Sequence, residues 1–338
     1  MKEIVQMKKL RKIDLYLLPL FPVMLIAVIL RSVALINSFN TVTMHYEDKT
    51  AIGVANLLVT LACASFVSYL FFGEKEQKLI SVSGNPASYI PAGLVSCALL
   101  FMGAQCLGGA FNYSPVPIPL LMLVCAVLAF ASVASFFLSV FVEHGAEVYK
   151  AAFSLAIVLF LAFYSVYLFF NKSTHPTNSP NKVLDQLSYV SAAIFFLFES
   201  RIHLRRAKWR SYVAFGLIAG LLTAYSAIPS LITYIANGYI VSDSIVESAL
   251  SLLISTLIIS RVIQSRSLTP EGECSAAFSI EAMAQRREEQ IREGTLARAQ
   301  DINIEGREDD AEASNYTFDI PEATKIDDNE DGAEPTEQ

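Results

Sequence analysis

The chain has 338 residues, of which 54% are hydrophobic and 17% are charged, and its formal net charge is −7. A soluble protein carries about 45–50% apolar and about 25% charged residues, so this composition excludes an ordinary soluble enzyme. The negative charge is concentrated in one segment: residues 265–338 hold 20 acidic and 7 basic side chains, whereas residues 1–264 have a net charge of +6.

The N-terminal segment, residues 1–13, is basic and leads directly into the first apolar stretch. This stretch is longer than the apolar region of a signal peptide, and no small-residue cleavage site follows it, so we interpret it as a membrane span. A bilayer core of about 30 Å requires roughly 20 apolar residues in a helix. Stretches that meet this requirement lie at approximately 14–36, 51–73, 88–111, 117–142, 147–170, 183–203, 211–237 and 242–263.

Backbone amides inside lipid must form their hydrogen bonds within the segment, so these stretches are predicted to be helices. We therefore predict an all-α membrane protein, with a bundle of eight transmembrane helices over residues 14–264. If the N-terminus is inside, 15 Lys and Arg residues lie on the inner side and 3 on the outer side. Because basic residues collect on the cytoplasmic side of membrane proteins, both termini are predicted to be cytoplasmic.

A weak internal similarity favours a duplication of four spans. Residues 88–95 (SYIPAGLV) resemble residues 211–218 (SYVAFGLI), and spans one and five share further letters, but spans four and eight do not match. The hypothesis is a 4+4 tandem repeat with halves 14–142 and 147–264, which are parallel, as in some transporters. Chance similarity between apolar helices is the alternative.

Ionisable residues within or beside the spans lie near the predicted outer boundary, at Arg31, Asp185, Asp243 and Glu247. Charged side chains inside a membrane are costly and therefore indicate functional sites. We predict a pair between Arg31 and Glu247, and a ligand-binding vestibule lined by Arg31, Asp185 and Glu247. The alternative is that these side chains reach the lipid headgroups, which is possible so near the end of a span.

Spans three and seven are rich in Gly and Pro, which let helices pack closely or break. The predicted helix-packing residues are Gly93, Gly103, Gly216, Gly220 and Pro229. Interrupted helices at matching positions of two halves are typical of transport sites. Gln105, Tyr225 and Ser226 are predicted to form hydrogen bonds with an uncharged ligand between these two spans. Ordinary close packing of helices is the alternative.

The predicted inner ends of spans two and six carry the glutamates Glu74 and Glu199, each beside basic residues. We expect ion pairs at the level of the lipid headgroups, such as Glu199 with Arg201 or Arg205. A cytoplasmic gate is the second interpretation.

The acidic segment 265–338 has high charge and few aromatic residues, so it is predicted to be a mostly disordered cytoplasmic tail. Residues 279–300 are the exception, because they combine helix formers with opposite charges four residues apart. This predicted helix is either solvated or a docking site for a soluble protein partner.

No constellation of catalytic residues is found in the sequence. All four histidines lie in predicted loops, and the chain lacks a phosphate-binding loop, a nucleophile elbow and a paired-cysteine metal motif. We therefore predict no enzyme activity, no metal and no cofactor. Nucleic acid is not an expected partner, because the basic residues follow the membrane surface.

The preferred function is a permease-like carrier of a neutral or amphipathic small molecule in the plasma membrane of a bacterial cell, with the lipid bilayer as its surroundings. The alternative is a membrane sensor or scaffold that acts on a soluble partner through residues 265–338. An intramembrane enzyme ranks last, because clustered catalytic groups are missing from the sequence.

Overall fold

The computed structural model describes residues 12–73, 78–79, 81–82, 86–112, 118–141, 147–171, 179–204, 206–239, 241–242, 244–265 and 273–274. These residues are almost entirely helical, and eight of their helices are long and apolar enough to cross a membrane. The helices are α1 (Lys12–Asn37), α2 (Thr50–Phe72), α3 (Pro86–Asn112), α4 (Ile118–Phe141), α5 (Glu147–Phe170), α6 (Pro180–His203), α7 (Trp209–Asn237) and α8 (Ile245–Gln264).

Within the described residues, short strands form three pairs; five of the six strands lie in connections between helices, and the sixth follows α8. The strands are β1 (Phe39–Asn40), β2 (His45–Tyr46), β3 (Lys78–Leu79), β4 (Ser81–Val82), β5 (Ala207–Lys208) and β6 (Glu273–Cys274). β1 and β2 form an antiparallel hairpin between α1 and α2, β3 pairs with β5, and β4 pairs with β6 in parallel. We call the bundle end that holds this hairpin the hairpin end. The opposite end, where α1 begins and α8 ends, is the terminal end.

Helices α3 to α8 form a closed ring in which each helix packs against the next one in the chain and α8 packs against α3. The pair α1–α2 lies outside this ring, and both of its helices pack against α7. Helix α7 is consequently the most enclosed: 72% of its most apolar window is buried, against 17% for α2. Most of α7 is therefore surrounded by neighbouring helices, whereas most of α2 is exposed on the outside of the bundle.

Glycines determine how closely α7 approaches its neighbours. A Cβ added at Gly216 would lie 2.3 Å from a Val262 methyl carbon of α8, and one at Gly220 would lie 2.8 Å from Ile259. At Gly103 an added Cβ would lie 2.9 Å from the Phe130 ring of α4, whereas at Gly93 it would meet open space. Small residues permit this close packing between membrane helices, and three of these four glycines are used for it.

The predicted number of membrane helices is confirmed, and most of their bounds agree within two or three residues. Helix α8 begins at Ile245 and not near residue 242, and helix α6 already begins at Pro180 and not near residue 183. Proline favours the first turn of a helix, since its missing N–H would have no partner there. This earlier start places Asn181 and Lys182 within the bundle, where they are buried.

Several predictions fall outside the described residues. They are the basic segment up to residue 11, the position of Asp243, the acidic tail after residue 274 and its helix at 279–300. In the described part the two proposed halves pack differently. Helix α6 packs against α5, α7 and α8, whereas its counterpart α2 packs against α1 and α7.

Candidate functional site

Polar side chains from three helices and the hairpin meet inside the hairpin end of the bundle. We call this group the Arg31 cluster; its members are Arg31 of α1, Tyr46 of β2, Asn181 and Asp185 of α6, and Tyr225 and Ser226 of α7. All six side chains are buried, and Arg31 is only 1% exposed. A buried charge needs partners, because leaving water costs several kcal/mol even after the protein relaxes, by the order of magnitude known for buried ions.

The centre of the cluster is a break in the hydrogen-bond ladder of α7. Pro229 has no N–H, so the carbonyl of Tyr225, four residues earlier, lacks its usual helical donor. The Arg31 guanidinium donates to this carbonyl through Nη1. Side chains also reinforce the neighbouring turns, since Ser230 donates to the Ser226 carbonyl at 3.0 Å and Thr233 to the Pro229 carbonyl at 2.8 Å. The arginine of α1 thus replaces the donor that the proline removes.

Arg31 is further held by an amide and by an aromatic ring. Its Nη2 donates to Asn181 Oδ1 at 3.1 Å, and its guanidinium carbon lies 5.0 Å from the centre of the Tyr225 ring. The Tyr46 hydroxyl donates to the same Asn181 oxygen at 2.8 Å. Tyr225 in turn donates its hydroxyl to Asn56 Oδ1 of α2 at 2.7 Å. These contacts connect α1, α2, α6, α7 and the hairpin at one point.

Two buried donors of the cluster remain without an acceptor among the described residues. They are Arg31 Nε and Asn181 Nδ2. An unsatisfied buried donor costs about 1–3 kcal/mol, and more when it belongs to a charged group. The cluster therefore has hydrogen-bonding capacity that the described residues do not use.

Asp185 lies one helical turn further along α6 and joins α6 to α7. Its carboxylate accepts a hydrogen bond from the Ser226 hydroxyl. Its backbone carbonyl accepts a bond from the Ser188 hydroxyl at 2.7 Å. The carboxylate is therefore engaged by α7 and does not form an ion pair with Arg31 in the described structure.

Glu247 belongs to a second polar group, which lies between α6 and α8. The Tyr189 hydroxyl hydrogen-bonds with Glu247 and is influenced by the charge of Asp185 as well. Tyr189 also shares a hydrogen bond of 2.9 Å with the Ser251 hydroxyl. At the start of α8, the Ser244 side chain caps the helix by accepting the Glu247 N–H at 3.1 Å.

Gln105 of α3 is exposed and reaches this second group only at its edge, where it accepts a bond from Ser244 at 3.3 Å. It therefore does not contact the Arg31 cluster, although α3 is next to α8 in the ring.

Aromatic residues cover the cluster at the hairpin end. The Tyr46 ring lies edge-on to Phe39 at 5.2 Å, and Phe39 stacks on Tyr239 at 6.0 Å. Burial raises the pKa of the Tyr46 hydroxyl above its usual value, and the Arg31 guanidinium opposes part of this shift. Burial also raises the pKa of Tyr239 to about 12. Both hydroxyls are therefore uncharged donors at neutral pH.

The terminal end of the bundle contains a different charged group. Arg261 of α8 forms an ion pair with Glu199 of α6, and both side chains are largely buried. The Trp209 indole N–H donates to the Ser265 carbonyl at 3.3 Å beside this pair. The expected pairing of Glu199 with Arg201 is wrong, since Arg201 lies over the Phe198 ring at 5.8 Å instead. The other expected partner, Arg205, lies outside the described residues.

The structure brings together four of the residues predicted to bind a ligand: Arg31, Asp185, Tyr225 and Ser226. The predicted pair between Arg31 and Glu247 does not form within the described part of the chain, where Glu247 contacts Tyr189 one helical turn beyond Asp185.

The sequence analysis did not single out the other two members, Tyr46 and Asn181, or the buried polar neighbours Asn56 and Lys182. Lys182, predicted to lie in a loop, is 4% exposed and donates to the carbonyl of Asn171. One signal was available: Pro229 frees the carbonyl four residues before it, and this predicts a donor near Tyr225.

Comparison with protein-family models, with curated proteins and with solved structures gives no match. Within the described residues, no group of three or more His, Cys, Asp or Glu side chains is arranged to hold a metal ion. The geometry of the Arg31 cluster is therefore the observation that bears on function.

Proposed function

We propose that the protein is a membrane carrier of a neutral or amphipathic small molecule, without enzyme activity, and that the Arg31 cluster is its binding site. One observation carries this proposal: buried polar groups from α1, α6, α7 and the hairpin converge on the helix break at Pro229. Polar groups are costly within a membrane bundle and are found there at substrate pathways. Interrupted helices are also where transporters bind their substrates.

The position of the cluster indicates the side from which a ligand enters. Arg31 lies six residues before the end of α1, which corresponds to about 9 Å along the helix axis at the usual rise per residue. A ligand bound at Arg31 is therefore much nearer the hairpin end than the terminal end. The Glu199–Arg261 pair closes α6 against α8 at the opposite end. We therefore propose that a ligand enters from the hairpin end.

We also propose that the hairpin end faces outwards and that both termini lie in the cytoplasm, in the plasma membrane of a bacterium. The excess of basic residues in the connections at the terminal end supports this orientation. A tag after residue 338 that is labelled only after the cells are permeabilised would agree with it. The 4+4 duplication stays a prediction, and the transport proposal does not depend on it.

The first experiment is a flux measurement in reconstituted vesicles. A thermal-shift screen of metabolites identifies a ligand, because a molecule that binds only the folded state raises its apparent stability. Uptake of that ligand is then measured for the natural chain and for Tyr225→Ala, with Tyr234→Ala as the matched control. Tyr234 is a partly exposed tyrosine of the same helix. We expect uptake to fall at least tenfold in Tyr225→Ala and to remain unchanged in Tyr234→Ala.

Uptake that is equal in Tyr225→Ala and in the natural chain would contradict binding at the cluster. Size-exclusion profiles and unfolding midpoints of both variants show whether a loss of uptake reflects loss of the fold. A ligand that binds with no flux in either variant would contradict a carrier and favour the second candidate function.

The second candidate is a sensor or scaffold that acts on a soluble protein through its acidic tail. The observation that favours it is the pairing of β6 with β4, which attaches the chain just after α8 to the α2–α3 connection. Movement of α2 or α3 on ligand binding would therefore reach the tail. We propose that the soluble partner binds residues 275–338 and that these residues form a disordered tail.

Deletion of residues 275–338, which retains β6, distinguishes the two functions. A carrier keeps its flux after this deletion, because the Arg31 cluster and the ring are intact. A sensor binds its ligand without flux, and the ligand changes the rate at which a protease cleaves the full-length tail. Unchanged cleavage at saturating ligand would exclude the sensor.

A further inference from the structure

The two buried donors without an acceptor, Arg31 Nε and Asn181 Nδ2, are neighbours. Arg31 Nη2 donates to the oxygen of the same carboxamide that carries Nδ2. The orientation of this carboxamide is determined by two donors, because both Arg31 and Tyr46 require an acceptor at Oδ1. The NH2 group therefore occupies the other position, and its hydrogens are directed away from these partners. Both side chains are nearly inaccessible, at 1% and 2% exposure.

The guanidinium forms no close ion pair among the described residues. Its own hydrogen bonds go to neutral oxygens, and it lies over a ring. The Asp185 carboxylate belongs to the same cluster but accepts its hydrogen bond from Ser226, and Glu247 contacts Tyr189. Guanidinium groups form their strongest hydrogen bonds with carboxylate and phosphate oxygens.

Apolar side chains adjoin the cluster through Tyr46. This tyrosine also belongs to a small hydrophobic core at the hairpin end, with Ala34, Leu35, Ile52 and Val241. A ligand bound to Arg31 therefore meets hydrocarbon surface beside its charged group. An amphipathic anion matches this combination better than an inorganic one does.

We propose that the Arg31 cluster binds the anionic oxygen group of an amphipathic small molecule, with Arg31 Nε and Asn181 Nδ2 donating to its two oxygens. This proposal rests on the carrier function proposed above and specifies its substrate class as amphipathic organic anions. The same oxygen chemistry is available from a soluble carboxylate and from the phosphate of an anionic lipid, so the experiment must separate these two sources.

The test measures thermal unfolding of the full-length protein in phosphatidylcholine nanodiscs with hexanoate, hexanol or hexylamine. These probes have about the same length, with six carbons each, and differ in the charge of the polar group. We expect a saturable rise of the unfolding temperature with hexanoate alone. Repeating the titration in phosphatidylglycerol nanodiscs separates the two sources of the anion. If the lipid phosphate is the natural ligand, the protein should unfold at a higher temperature in these nanodiscs before any probe is added, and hexanoate should then have no further effect.

Three variants locate the effect. Arg31→Gln should weaken hexanoate binding at least tenfold. Asn181→Asp provides a carboxylate beside Arg31 within the chain, so it should fold well, unfold at a higher temperature without ligand, and lose the hexanoate response. Arg201→Gln, which removes an exposed arginine over Phe198, should respond as the natural chain does.

Equal stabilisation by hexanoate and hexanol, or an unchanged response in both Arg31→Gln and Asn181→Asp, would overturn the anion site. Neither result would overturn the proposed carrier function. Transport of a neutral ligand that is lost in Tyr225→Ala would still support that function. No response to any probe in either lipid would also overturn the anion site, and the flux measurement would then decide the proposed function by itself.

Discussion

The two ends of the bundle each bury an arginine, but they satisfy it differently. At the terminal end, Arg261 faces the carboxylate of Glu199, so the two charges compensate each other. At the hairpin end, Arg31 contacts a backbone carbonyl, an amide oxygen and an aromatic ring, all without formal charge. The Arg261–Glu199 ion pair connects α8 to α6, whereas the buried N–H of Arg31 that has no acceptor among the described residues is available to bind a ligand. The terminal end should therefore control stability, and the hairpin end should control recognition.

The largest effect is expected from Glu199→Gln, because it leaves Arg261 as an uncompensated buried charge. Removing one partner of a buried ion pair costs about 3–5 kcal/mol in the free energy of unfolding. Chemical unfolding of the detergent-solubilised protein measures this cost, and the exposed Arg201→Gln is the control, expected within about 0.5 kcal/mol. The double variant Glu199→Gln with Arg261→Gln should recover part of the loss. A cost below about 1 kcal/mol for Glu199→Gln would contradict a fastening role for the pair.

A smaller loss is expected from Gly216→Ala, which tests whether α7 and α8 are closely packed near that ion pair. The added methyl group would overlap with Val262, and overpacking of this kind typically costs about 1–3 kcal/mol. Gly93→Ala is the matched control, since its methyl group meets open space and alanine favours a helix over glycine by up to about 1 kcal/mol. Ligand binding should be the same in both variants. If Gly216→Ala unfolds no more easily than Gly93→Ala, the two helices do not approach as described.

A double-mutant cycle tests how Arg31 and Pro229 depend on each other. Arg31→Met leaves the Tyr225 carbonyl without a donor, but Pro229→Ala restores the helical N–H that serves the same carbonyl. The double variant should therefore be more stable than the sum of the single effects predicts, by about 0.5–1.5 kcal/mol, the net value of one hydrogen bond. Purely additive effects would show that the arginine does not act at the helix break.

The smallest effect concerns Tyr46 and has a characteristic pH dependence. Tyr46→Phe should cost about 0.5–1.5 kcal/mol at neutral pH, because it removes the hydrogen bond to Asn181. Burial raises the pKa of Tyr46 in the folded state, so folding favours the neutral hydroxyl. Its contribution is complete below the unfolded pKa of about 10 and is lost as the pH rises through the folded pKa.

The difference between the unfolding midpoints of the natural chain and of Tyr46→Phe should therefore decrease as the pH rises from neutral to above about 10. Tyr234→Phe, which alters a partly exposed tyrosine, is the control and should run parallel to the natural chain. A constant difference across this range would show that the Tyr46 hydroxyl is not in the buried environment described here.

The fold was predictable from composition because the membrane requirement is simple: about 20 apolar residues identify each span. The site was predictable only in part. Arg31, Asp185, Tyr225 and Ser226 are recognisable as polar groups inside apolar stretches, but their partners depend on contacts between residues far apart in the chain. Asn181 lies 150 residues from Arg31. The sequence predicts the depth of a residue in the membrane but not which helices become neighbours, and Glu247 was predicted to pair with Arg31 because the two lie at similar depth.

The misplaced start of α6 has a similar cause. Asn181 and Lys182 are polar, so a hydropathy pattern places them in a loop. In the folded bundle their side chains find partners: Asn181 Oδ1 accepts from Arg31, and Lys182 donates to the Asn171 carbonyl. Tertiary contacts of this kind lengthen the helix beyond its apolar part.

The bond between Arg31 and the Tyr225 carbonyl also sets a constraint on how the protein is made. The two residues are 194 positions apart. At about 5–20 residues per second, a ribosome needs about 10–40 s to reach Tyr225 after it has added Arg31. During this interval α1 has already been synthesised, and its arginine still lacks the partners that α6 and α7 will supply. Arg31 lies within two turns of the helix end, so its long side chain can reach the lipid headgroups until α6 and α7 have been inserted.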